Sequence, residues 1–230
     1  MRSGATSGVA VLSVAPNVLY RMGDAEGAQR AYRAALAWAR GLNRPFDLAH
    51  TLCFASSYQI EREDYAQALK DAREAVAICE AHGFGVWLQS ARAYCAMAMG
   101  GLGEYEAARE LMLSTMAAWR KAGCGTLLGL FTQHLALIEC ALGRFEEALM
   151  LAGEAITLDR EFHDYVNLPR AYEARAHILC AKPQPDRRAA ESDIERGLEI
   201  ARAQGARTAA DRLEARLDAL RAICQNAVAD

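Results

Sequence analysis

The chain carries five histidines, seven cysteines and 29 acidic side chains, enough for metal or acid–base chemistry if their spacing allowed it. The spacing does not. His50, His82, His134, His163 and His177 show no H-x-x-x-H or H-E-x-x-H pattern, so no single helix face offers a metal two imidazoles. No two cysteines form a C-x-x-C pair. Cys53, Cys79, Cys95, Cys140 and Cys180 sit among alanines and leucines, where a free thiol packs as a small apolar side chain. Neighbouring carboxylates such as Glu146 and Glu147 cannot share a helix face, which argues against a paired acid and base. The glycine-rich stretch Gly123-Cys-Gly125-Thr-Leu-Leu-Gly129 could present backbone N–H groups to an anion. No strand precedes it, however, and Gly123 already reads as a helix stop, so a turn is the better reading. Phosphate loops of the G-x-x-x-x-G-K-[ST] type and G-x-S-x-G elbows are both missing from the sequence. No catalytic, metal-binding or cofactor-binding residues are expected, and the chain reads as a protein that is not an enzyme.

Composition narrows the partner class. The net charge of −3 gives no basic stripe for displacing counterions from phosphates, so a nucleic-acid partner is not expected. Arginines are dense toward the C-terminus (Arg187, Arg188, Arg196, Arg202, Arg207, Arg212, Arg216, Arg221), but Asp and Glu interleave with them at helical spacing, as on an ion-paired, solvated face. The longest uncharged run, Ala122 to Ile138, is too short and too polar for a membrane span. Gly8 to Ala15 after Arg2 faintly resembles a signal-peptide core, but Pro16 follows directly. Unpaired cysteines at apolar positions suit a reducing cytoplasm, the expected location. A homodimer stays open. With 53% hydrophobic residues the chain could form one solenoid domain or two compact ones, and its alanine, leucine, arginine and glutamate content favours helices.

What must position these residues is a repeat. Gly23, Glu63, Gly103 and Gly143 are spaced by 63−23, 103−63 and 143−103, each 40 residues, and five residues after each comes an alanine: Ala28, Ala68, Ala108, Ala148. Each period holds two apolar-periodic segments, such as Phe84 to Gly100 and Glu104 to Lys121. In the latter, Ala108, Leu111, Met112, Thr115, Met116 and Trp119 trace one helical face. Twenty residues after the anchors stand Asn43, Gly83, Gly123 and His163, residue types that tolerate the left-handed conformation ending a helix. A fifth unit fits with a slip of two residues, through Pro185, Ala190 and Gly205, with Lys182-Pro-Gln-Pro-Asp186 as a longer turn. Thr208 to Cys224 reads as a capping helix. Pro16 should kink, shorten or start the first helix. The units run approximately 5–43, 44–83, 84–123, 124–163 and 164–205, with a cap at 206–225, in a single domain spanning 1–230.

The repeated Gly103-Glu-Tyr105-Glu-Ala-Ala108, Gly143-Arg-Phe145-Glu-Glu-Ala148 and Asp64-Tyr65-Ala-Gln-Ala68, with a second small residue at Ala35, Ala75, Thr115 and Ala155, resemble the tetratricopeptide repeat over residues 20 to 205. Small residues let paired helices approach closely, and the aromatic plugs the gap between units. The period departs from the usual length of about 34 residues, and Arg40, Glu80, Arg120 and Arg160 replace the customary terminal proline. Ala81-His-Gly-Phe-Gly-Val-Trp-Leu88 and Ala117-Ala-Trp-Arg-Lys-Ala-Gly123 are similar to segments of long-period arrays in bacterial signalling ATPase, adenylate-cyclase and transcriptional-regulator proteins. The resemblance implies an all-α, right-handed superhelical solenoid of about five antiparallel helix pairs plus the C-terminal cap.

It also implies function. In such arrays the first helix of each unit lines a concave groove, here placing Asn17, Tyr20, Arg21, His50, Ser57, Ile60, Ser90, Met97, Gln133, Tyr172 and Arg175 along it. These residues are mildly apolar with scattered polar groups, which suits a helix or hydrophobic segment of a protein partner better than an acidic chain terminus. Trp87 is a further candidate contact, whereas Trp119 falls on a core face. The expected function is a non-catalytic protein–protein interaction or scaffold module of a bacterial signalling or transcription-control system. The alternative is a sensor holding an apolar small molecule in the superhelix.

Overall fold

The computed structural model describes residues 6–229, from 224 onward as helix backbone alone. Arg2, the expected start of the first unit at residue 5, and Asp230 lie outside the described residues. These form eleven helices and no strand. By its internal contacts the chain divides into two compact units, 1–123 and 124–230.

The first unit holds α1 (Ser7–Arg21), α2 (Ala25–Gly41), α3 (Pro45–Glu61), α4 (Tyr65–His82), α5 (Gly85–Gly101) and α6 (Tyr105–Lys121). The second holds α7 (Leu128–Ala141), α8 (Phe145–Glu161), α9 (Leu168–Ala181), α10 (Arg187–Ala203) and α11 (Arg207–Ala229). Pro16 does not end α1, which runs through it. The last helix continues past the expected end at Cys224.

The links between helices follow from backbone geometry. Gly23, Glu63, Gly103 and Gly143, and out of step with them Asn43, Gly83, Gly123, His163 and Gly205, all have positive φ. At α1 the turn is a Schellman motif, with Asp24 N–H donating to Leu19 O at 2.9 Å and Gly23 N–H to Tyr20 O at 3.0 Å. Asp64 to Gln59, Glu104 to Met99 and Arg144 to Glu139 repeat the long bond. The residue closing one helix also opens the next: Asp24 accepts from Gly27 N–H at 2.7 Å, and Asp64 and Asp186 cap α4 and α10 likewise.

Packing obeys the same period. Ala28, Ala68, Ala108, Ala148 and Ala190 are wholly buried, and Ala35, Ala75, Thr115 and Ala155 are buried too, so helix pairs meet with little between their backbones. The Tyr65 ring lies on Gly101 at the end of α5, where a Cβ would fall 2.3 Å from the ring, so this aromatic does fill the gap between helix pairs. In unit 1, α3 packs against α1, α2, α4 and α5. In unit 2, Ile194, Leu198, Leu213, Leu217 and Leu220 join α10 to α11. Cys53, Cys79, Cys95 and Cys140 are buried, but Cys180 is exposed, against its expected place in the core.

Candidate functional site

Helix α3 is nearly enclosed by its neighbours. Between Ala49 and Glu61 only Phe54 and Ser57 keep appreciable surface. With Phe46, His50 and Glu61 they lie on one stripe at steps of 4, 4, 3 and 4 residues, the open side of α3 between α1 and α5.

One end of this stripe is aromatic. His50 lies 4.6 Å from Trp87 and 4.9 Å from Phe54, ring centre to ring centre, and Phe46 meets Phe84 edge-on at 5.1 Å. Burial among these rings pushes the His50 pKa down, against an opposing pull from Asp47, so the imidazole stays neutral near pH 7. Its Nδ1 is buried and finds no hydrogen-bond partner. The other end is polar. Asn17 Nδ2 donates to Ser57 Oγ at 3.3 Å with the Tyr94 hydroxyl close by, and Arg21 forms an ion pair with Glu61. Burial pushes the Tyr94 hydroxyl well up, so it remains neutral. The Oδ1 of Asn17 is a second buried polar atom without a partner.

The residues expected to line the groove therefore separate. Asn17, Arg21, His50 and Ser57 come together on the open stripe. Tyr20 turns to the cluster of Tyr58, Tyr32 and Ala28 under α2, with its ring 5.9 Å from that of Tyr58. Ile60 and Met97 are buried, and so is Ser90, whose hydroxyl bonds back to Val86 O.

In unit 2, Gln133 is buried with its Oε1 unpartnered. Tyr172 and Arg175 serve packing. The Arg175 guanidinium makes a bidentate pair with Asp193 of α10 at 2.7 and 2.6 Å while lying over the Tyr172 ring, and Tyr172 OH accepts from Arg160. Glu173 on the same helix holds Arg212 and Arg216 of α11. Burial, followed by the charge of Arg170, pushes His134 down to about 3, which keeps this imidazole neutral.

Phe46, Phe54, Phe84 and Tyr94 were not singled out from the sequence. Phe46 and Phe54 recur on α3 at the spacing of one helical face, but that spacing does not say whether the face is open, and Phe84 and Tyr94 come to it from the α5 side. Among the described residues no group of three His, Cys, Asp or Glu could hold a metal ion, and no helix is long and apolar enough to cross a membrane.

No protein-family model matches the chain, and no curated protein does. Solved structures match in fold. Aspartyl phosphate phosphatase F from Bacillus subtilis superposes with a TM-score of 0.62 at 16% identity, over 85% of this chain and 51% of its own. A Rap protein complexed with competence and sporulation factor gives 0.59 at 12% identity, over 96% of this chain and 66% of its own. A signal transduction ATPase with numerous domains and a tetratricopeptide repeat sensor, from Pyrococcus horikoshii, gives 0.57 at 16% identity, over 94% of this chain and 33% of its own. The chain spans about half the length of the first and a third of the last. The likeness is one of fold: this is an all-helical repeat of the tetratricopeptide type.

Proposed function

We propose that the chain is a non-catalytic interaction module that holds a segment of a partner polypeptide against the open side of α1, α3 and α5. We place it in a bacterial signalling or transcription-control system, as its regulatory part. The observation carrying the reading is the pairing of a half-buried aromatic patch with two unpaired buried polar atoms, His50 Nδ1 and Asn17 Oδ1, on one stripe. An unpaired buried polar atom costs about 1–3 kcal/mol, which donors of a bound segment would recover. Phe46, Phe54 and Trp87 would take an apolar side chain, while Asn17, Ser57 and the Arg21–Glu61 pair would bond to polar groups of the segment. Two of the structures sharing the fold support the context by their names: one is in complex with competence and sporulation factor, the other carries a tetratricopeptide repeat sensor.

A displayed peptide library selected on the immobilised chain tests this, with enriched peptides measured by calorimetry. Trp87→Ala and Asn17→Ala should each weaken them about tenfold or more, with circular dichroism showing that both variants remain folded at the temperature of the titration. Peptides that bind both variants as well as the parent would sink the reading.

A further inference from the structure

Arg160 of α8 lacks the charged partner that its repeat equivalents have. Glu80, 80 residues earlier, pairs at 2.9 Å with Arg92, twelve positions on. Arg202, 42 residues later because the last repeat carries two extra residues, pairs with Glu214 at the same separation. Twelve positions after Arg160 stands Tyr172, which has no charge to offer. Arg40, three periods before Arg160, takes a different partner, Glu74 of α4, at 2.8 Å. The residue in that place for Arg160, allowing for the same two extra residues, is Arg196 of α10. Among the described residues no carboxylate forms an ion pair with Arg160. Where the other repeats set opposite charges together, this one sets arginine toward arginine.

The two arginines converge on one oxygen. Helices α8 and α10 each pack on α9 and not on each other, and the buried Tyr172 ring of α9 lies in the gap. Arg160 Nη2 donates to the Tyr172 hydroxyl at 2.6 Å, and the Arg196 guanidinium comes close to the same hydroxyl from the α10 side. Because Tyr172 accepts from Arg160, its own proton is left to donate, and no acceptor for it stands among the described residues. Arg175 lies over the ring, 5.6 Å from its centre, with its charge taken up by Asp193. Arg196 also pairs with Glu199 at 2.6 Å, but these side chains are 54% and 68% exposed, and a surface pair of this kind yields to a stronger anion at little cost. We propose that this gap is an oxyanion site in which Arg160, Arg196 and the Tyr172 hydroxyl hold a phosphate monoester. Two guanidinium forks and one O–H approach from separate helices, which suits the three outer oxygens of a tetrahedral phosphate. A carboxylate, with two oxygens in one plane, satisfies a single fork and leaves the second arginine unbalanced.

Calorimetric titration of the intact chain with inorganic phosphate, at an ionic strength held constant with chloride, is the test. Saturable binding at one site is expected, weakened about tenfold or more by Arg160→Gln and by Arg196→Gln. Tyr172→Phe keeps the ring beneath Arg175 and removes only the O–H donor, so it should weaken binding less. Arg188→Gln changes another exposed arginine of α10 and should bind as the parent does. Circular dichroism checks that each variant is folded at the temperature of the titration. Phenyl phosphate and a phosphoserine peptide then identify the source of the phosphate. Equal affinity for the two assigns the site to free phosphate esters. A phosphopeptide that binds about tenfold tighter than phenyl phosphate, and only when phosphorylated, assigns it to a modified side chain; either result supports the site. Three outcomes overturn it: no saturable binding of any of these probes, acetate binding as tightly as phosphate, or the same loss in Arg188→Gln as in Arg160→Gln.

Discussion

Arg21 of α1 clasps Glu61 of α3 across one full period, its Nε donating to Oε1 and Oε2 at 3.0 and 3.1 Å while Nη2 reaches Oε1. One turn earlier Asn17 bonds to Ser57, again 40 residues on, and Tyr32 OH donates to Asp71 across 39. Residues in phase in the sequence thus face each other in space. The repeat is a set of cross-braces as well as a stacking pattern.

Removing one arm of the first brace should be felt. The Glu61 side chain is only 9% exposed and would be left without its cation in Arg21→Ala. Unfolding free energy should fall by about 1–3 kcal/mol, and Arg21→Lys should recover only part, lacking the bidentate fork. Denaturant titration reads both. A variant as stable as the parent would mean that water satisfies Glu61 equally well.

Glu63 holds φ at +63° where Gly23, Gly103 and Gly143 hold the same turn. A side chain there costs about 1 kcal/mol through its Cβ. Glu63→Gly should therefore raise stability by about 0.5 kcal/mol, net of glycine's greater freedom in the unfolded chain. Gly103→Glu should do the reverse. A melting temperature lowered by Glu63→Gly would show that the glutamate side chain makes a contact outweighing the strain.

Two glycines of unit 2 should respond with opposite signs to the same change. A Cβ on Gly129 would stand 2.0 Å from Asp159 Oδ1 and 3.0 Å from Ala155 O, with Asp159 itself buried. Gly129→Ala should cost about 1–3 kcal/mol by overpacking. A Cβ on Gly153, in the middle of α8, meets nothing within 4 Å, so Gly153→Ala should gain about 0.5–1 kcal/mol. Equal effects at the two sites in thermal melts would contradict the close approach of Asp159.

Asp159 also sets a pH dependence. It follows Trp119 by 40 residues and Cys79 by 80, and at both of those repeat-equivalent positions the buried side chain lacks a carboxylate. Burial, with a smaller push from Asp164, raises its carboxyl to about 7, whereas an aspartate in the unfolded chain titrates at about 4. Between those values the native state holds a proton that the unfolded chain has released. This group's contribution therefore favours folding at low pH, falls as pH rises from about 4 to about 7, and levels off above. Asp159→Asn should flatten that slope and be more stable than the parent at about pH 8, by up to about 4 kcal/mol. Urea titrations of both proteins across this range give the difference. A difference that does not change with pH would mean that Asp159 keeps one protonation state throughout.

The expected site residues show where sequence reasoning reaches its limit. Arg175 and Tyr172 have the phase of groove residues, yet Asp193, 18 positions on, draws Arg175 into the joint between α9 and α10. Asp159 reads as one more surface carboxylate unless it is set beside Trp119 and Cys79 in phase. Cys180 shares its phase with the buried Cys140 but is exposed, since α9 meets the following helix α11 less extensively than α7 meets α9.

The sequence by itself determined the helices, their links and the small residues between them. These depend on local rules: left-handed turns need glycine or a tolerant substitute, and close helix contacts need alanine, so both leave a mark at every period. Which side of α3 stays open was decided only by the tertiary structure. An inner helix meets four neighbours, and the rotation that buries Ile60 while leaving Phe54 and Ser57 open comes from their combined packing. No local spacing encodes that choice. The same packing leaves His50 Nδ1 and Asn17 Oδ1 unpaired on the one open stripe.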